Sequence, residues 1–106
     1  MQQLVFMYNI LKINENKLMY IYVNIILILL FSLIYWYYGT PEHLTFNPQF
    51  ANNDNERISY LSALYFTCTT HSTVGYGDIT PKSKVMQNII TIHLTILILN
   101  LSILIL

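Results

Sequence analysis

Two apolar blocks dominate the chain, residues 18–38 and 85–106, and neither contains Asp, Glu, Lys or Arg. At about 1.5 Å per helical residue, each is long enough to cross a hydrocarbon core of roughly 30 Å. The pattern predicts two membrane-spanning helices. A cleaved leader fits the first block poorly, because its apolar run is too long and no small-x-small site comes after it. The block closes instead on Tyr35-Trp36-Tyr37-Tyr38, which reads as an aromatic belt at one membrane–water interface, with Tyr20 and Tyr22 marking the other.

The segments around these blocks have other patterns. Residues 1–17 place Gln2, Asn9, Lys12 and Asn16 on one helical face and apolar residues on most of the remainder, which predicts an amphipathic interfacial helix. Residues 39–57, with Pro41, Pro48 and the polar run Asn52-Asn53-Asp54-Asn55, read as an exposed loop with no core of its own. Helical character returns over residues 58–70, with Ser59 as a candidate cap. Such a helix is about 20 Å long, too short to cross and return, so residues 71–84 predict a re-entrant loop. Non-helical backbone is tolerated at membrane depth only where it is buried in protein or lines water. The chain has no internal repeat, so a pore enclosed by several copies of this loop has to come from several chains.

Composition narrows the function classes. Charged residues make up 9% of 106 residues, well below the roughly 25% of soluble domains, and the formal net charge is zero. No electrostatic case exists for nucleic acid. Cys68 is the single cysteine, so it forms no intrachain disulfide and is expected to pack as a small hydrophobe. No nucleophile–base pair, phosphate loop or ligand cluster is visible, so an enzyme and a cofactor are not expected.

The stretch Thr70-His71-Ser72-Thr73-Val74-Gly75-Tyr76-Gly77-Asp78 carries the chemistry. Successive carbonyls aimed at one axis can replace the oxygens around a hydrated cation. The backbone then has to alternate between right- and left-handed regions, and Gly75 and Gly77 supply φ > 0 without steric penalty. Val74 and Tyr76 point away from the axis, Thr73 adds its hydroxyl, and the partly negative end of the preceding helix faces the cation.

These nine residues match the potassium-channel signature TxxTxGYGD at every specified position, and the order span, short helix, filter, span is that of the two-span pore module. The chain resembles the miniature potassium channels encoded by large algal viruses over about residues 18–106. The resemblance implies an all-α membrane protein with two transmembrane helices and a re-entrant pore helix. It implies four identical subunits in a lipid bilayer, K+ as transported ion, and a filter of Thr73, Val74, Gly75, Tyr76 and Gly77. Its loop side would face outward, with both termini cytoplasmic. The positive-inside rule does not decide this, since Lys12 and Lys17 lie on one side of the first span and Arg57, Lys82 and Lys84 on the other.

Filter support would come from Tyr65, Phe66, Thr69, Thr70 and Asp78. Tyr65 and Phe66 stand where many relatives carry a Trp-Trp pair, and Thr69 where some carry a carboxylate, so Asp78 needs another partner. Neither span contains Gly or Pro, which removes the usual hinges.

Two registers compete for the inner pore. Asn88, Thr91, Thr95 and Ser102 form one polar stripe, and His93 with Asn100 a second; one of these could line water while the other bonds between helices. Counting from the filter along the family's inner helix instead points to Leu94, Ile98, Leu101 and Ile105. His71 is expected to make a structural hydrogen bond. His43 lies in the loop without a visible partner. The expected function is potassium-selective conduction, with a non-conducting modulatory subunit or a weakly selective cation channel as the alternatives.

Overall fold

The computed structural model describes residues 2–5, 15–52 and 57–105. It contains three long elements: α1 (Glu15–Tyr37), α2 (Tyr60–His71) and α3 (Lys84–Ile105). Helices α1 and α3 are long and apolar enough to cross a membrane. Of the expected interfacial helix, residues 2–5 are helical and 15–17 open α1; the remainder lies outside the described residues.

The helices start and stop for local reasons. Helix α1 runs 23 residues without Gly or Pro. Its end is satisfied in trans, because Arg57 Nη2 donates to the carbonyls of Trp36 (2.6 Å) and Tyr37 (2.9 Å), with its guanidinium 5.7 Å from the Trp36 ring centre. Ser59 caps α2 as expected, accepting from the Ser62 N–H at 3.2 Å. Ser83 does the same for α3 through the Met86 N–H at 3.1 Å.

The mostly helical fold carries one addition. Within the predicted loop, β1 (Leu44–Phe46) pairs antiparallel with β2 (Ile79–Pro81), in the register Leu44–Pro81, Thr45–Thr80 and Phe46–Ile79. A 3-10 turn, Pro48–Phe50, comes after β1. The expectation of a wholly exposed loop is therefore corrected. Leu44 is buried in the common core with Phe31, Tyr35, Ile58, Ala63, Phe66, Ile79 and Met86. His43 also finds a partner, its Nδ1 lying 2.7 Å from Ser83 Oγ.

This core ties α1 to α2 and to the strands at one end of the molecule. Phe66 sits edge-on to Tyr35 with ring centres 5.0 Å apart. Tyr35 is fully buried, so it does not belong to an interfacial belt as expected; its neighbours Trp36 and Tyr37 remain exposed. Three successive residues project at about 100° intervals, and only one of them can face the core. Cys68, expected to pack inside, is exposed on the single chain.

Candidate functional site

Residues 72–78 leave the C-terminal end of α2 as an open loop. Its first turn is tied back to the helix: the N–H groups of Ser72, Thr73 and Gly75 donate to the carbonyls of Cys68 (2.9 Å), Thr70 (3.1 Å) and Thr69 (3.1 Å). Beyond that, φ changes sign at every residue. It is positive at Thr73 (64°), Gly75 (58°) and Gly77 (83°), and not at Val74 or Tyr76.

A Cβ built on Gly75 or Gly77 would have no heavy atom within 4 Å. Glycine is therefore required at these positions by conformation and not by space. Sequence reasoning placed glycines at two of the three left-handed positions and missed the third. Thr73 is β-branched, and a left-handed conformation there costs about 1–2 kcal/mol. Its hydroxyl donates to the Ser72 carbonyl at 2.6 Å.

The side chains expected to support the filter come from α2 and from the loop that follows it. The Tyr65 hydroxyl donates to Asp78 Oδ2 at 2.5 Å, so Asp78 has the second partner that the sequence left open. This hydrogen bond holds the Tyr65 phenol above its ordinary pKa, and partial burial and the charge of Asp78 act in the same direction. The Tyr65 ring lies parallel to Tyr76 (6.4 Å, 6°) and to Phe50 (5.8 Å, 12°). Phe50 was not legible as a site residue, because the 3-10 turn that presents it depends on the tertiary fold. Phe66 and Thr69 are buried, and Thr69 Oγ1 donates to the Phe66 carbonyl at 3.0 Å. Thr70 is half-buried, and its carbonyl accepts the Thr73 N–H.

Two grooves meet at Thr73 and Leu94. One, about 340 Å³, runs from Phe66 and Thr69 past Gly75 and Gly77 to Ile90 and Leu94. The other, about 590 Å³, is lined by Leu94, Ile98 and Leu101 of the expected inner surface, together with Thr73 of the expected filter and Tyr20, Asn24, His71, Ser72 and Leu97. The side chain of Ile105 lies outside the described residues. The polar stripe on α3 is exposed, and three of its hydroxyls bond to their own helix: Thr91 to Gln87 O, Thr95 to Thr91 O and Ser102 to Ile98 O.

A family model described as "Ion channel" matches residues 23–106. A curated relative, "Potassium channel protein kcv" of Paramecium bursaria Chlorella virus 1, is 33% identical over 82 residues, covering 73% of this chain and 84% of the relative. The chain belongs to the potassium-channel family. "Two-pore potassium channel 4" of Arabidopsis thaliana is 34% identical over 70 residues, 66% of this chain but 24% of that protein. "Probable potassium channel protein 2" of Methanocaldococcus jannaschii is 39% identical over 41 residues, 12% of its length. No solved structure matches. Membership makes this an integral membrane protein of an ion-channel family and not of an enzyme family.

In this potassium-channel chain His71, expected to make a structural hydrogen bond, makes two: Nδ1 to His93 Nε2 (3.1 Å) and Nε2 to Asn24 Oδ1 (2.8 Å). Asn100 Nδ2 also reaches Asn24 Oδ1 at 3.0 Å, and the Tyr35 hydroxyl reaches His93 Nδ1 at 2.7 Å. The His93–Asn100 stripe thus bonds between helices. Its seven-residue spacing was visible in the sequence; that Asn24 and Tyr35 would face it was not.

Proposed function

We propose that the chain conducts K+ passively down its gradient through a pore enclosed by four identical copies. Backbone carbonyls of Thr73, Val74, Gly75, Tyr76 and Gly77 replace the ion's water shell, and repulsion between ions in single file helps each one leave. The observation that carries this reading is the alternating sign of φ at residues 73–77, in a chain of the potassium-channel family. Tyr65, Phe66, Thr69, Thr70 and Asp78 brace the filter from α2 and the outer loop. Leu94, Ile98, Leu101 and Ile105 line the inner pore, and its apolar wall offers a barrier by dewetting. Support for this register comes from the grooves that join Leu94 to Thr73. The loop between α1 and α2 faces outward and both termini are cytoplasmic. No cofactor takes part, and K+ is the transported ion.

The test is single-channel recording from purified protein in a planar bilayer, with K+ on one side and Na+ on the other. The expected reversal lies far toward the potassium equilibrium potential, and Gly75→Ala abolishes the current. Reversal near zero would establish a weakly selective pore. Silence from a tetramer confirmed by native mass spectrometry would point to a modulatory subunit or to an inactivated filter. Any stoichiometry other than four removes the proposed pore.

A further inference from the structure

Five side chains from all three helices form one continuous hydrogen-bonded network, and its proton positions can be derived. Asn24 Nδ2 lies 2.7 Å from the Tyr20 carbonyl, which can only accept, so the amide nitrogen is the atom placed there. The other atom, Oδ1, is then an acceptor. It receives Asn100 Nδ2–H and His71 Nε2–H. A neutral His71 protonated at Nε2 has a bare Nδ1, which accepts from His93 Nε2–H. That leaves His93 Nδ1 bare, and it accepts the Tyr35 hydroxyl. With both imidazoles neutral, this assignment gives each hydrogen bond of the network one donor and one acceptor, and the orientation of one amide then fixes it. The Tyr35 hydroxyl faces His93, and among the described residues that line the groove beside His71, Tyr20 included, none is a carboxylate or an ammonium.

The network's position gives it a consequence for the filter. From Asn24 to Tyr35 it runs about 16 Å along α1, half the thickness of a hydrocarbon core. Tyr35 and His93 are fully buried, so leaving either of them unpaired is costly. His71 is the last residue of α2, two before Thr73. It is held on one side by α1 and on the other by α3. Neither span has a Gly or Pro at which to bend, so the movable backbone is the loop itself.

We propose that Asn24 is a positioning residue for conduction. By accepting from His71 and Asn100 together, it fixes the tautomer of both histidines and holds the inner end of the filter loop against both spans. It thereby sets how long the filter stays conducting and not which ion it selects. This rests on the conducting reading above.

Two measurements on the full-length tetramer in lipid test it. In ¹⁵N-histidine spectra, His71 and His93 are expected as neutral imidazoles protonated at Nε2, with His43→Gln identifying the third histidine. In single-channel records, Asn24→Leu and His71→Leu are each expected to lower open probability by about tenfold, the factor one buried hydrogen bond is worth. The double variant falls no further than the worse single one, and His71→Gln, which keeps a donor at the ε position, restores most of the loss. Reversal potentials stay unchanged throughout.

An Nδ1-protonated histidine in the wild-type spectrum overturns the proposal. So does an unaltered open probability in Asn24→Leu, or losses that add in the double variant. A network that merely glues helices would lower the tetramer's melting temperature while surviving tetramers gate normally, and that result also overturns it. A wild-type protein without potassium current sinks the conducting reading itself, and this proposal with it.

Discussion

Tyr65 donates its hydroxyl proton to Asp78 while its ring lies parallel to that of Tyr76. One side chain of α2 thus holds the outer end of the loop by a charge-assisted hydrogen bond and by stacking. Tyr65→Phe keeps the stack and removes the bond. We expect intact tetramers whose open probability falls several-fold in single-channel records, with inactivation deepening as external K+ is lowered. The proton Tyr65 donates is bound more tightly in the folded chain. The contribution of the Tyr65 proton is therefore present below a phenol's ordinary pKa of about 10 and is lost as pH rises through the raised value. Wild-type current that is insensitive to Tyr65→Phe at neutral pH would count against the brace.

Gly39 tests the packing beneath the outer loop. A Cβ there would collide with Ile58 Cγ2 and lie 2.8 Å from the Tyr35 carbonyl oxygen. Gly39→Ala should cost about 1–3 kcal/mol, the range for overpacking a core. A thermal melt of the purified tetramer reads this directly. Adding Ile58→Ala should not rescue it, because the backbone carbonyl remains in the way and a cavity is opened.

Arg57 reaches back across the loop to two carbonyls at the end of α1. Replacing it with Gln removes a cation from a helix C-terminus, worth about 0.3–1 kcal/mol at an exposed site. The expected result is a small drop in melting temperature with unchanged selectivity. A large loss of K+ over Na+ discrimination would give Arg57 a role in the mouth that this geometry does not predict.

Cysteine scanning of α3 distinguishes the two inner-pore registers. In a Cys68→Ser background, a cationic thiol reagent applied from the inner side should block Leu94→Cys and Ile98→Cys. It should spare Thr91→Cys and Thr95→Cys, where the native hydroxyls bond to their own helix. The reverse pattern would return the pore to the polar stripe.

Much of this protein is determined by local sequence. Two uncharged apolar blocks can satisfy their backbone in a bilayer only as helices. Ser59 caps its helix through a contact three residues away, and Gly75 and Gly77 are the residue type that positive φ demands. Each of these depends on near neighbours or on the solvent, so it was legible along the chain.

Other features depend on pairings across many residues. Leu44 is buried because β1 meets β2, Tyr35 because one residue of an aromatic run faces α2, and Phe50 joins the Tyr65 stack through a turn in a polar loop. Thr73 takes a left-handed conformation that its side chain disfavours, which the surrounding fold imposes. The periodicity of α3 put His93 and Asn100 on one stripe but did not say what it faces. Tertiary structure decided that, because a polar group at membrane depth pairs with whatever partner the packed helices bring within reach: Asn24 for Asn100, and Tyr35 and His71 for His93.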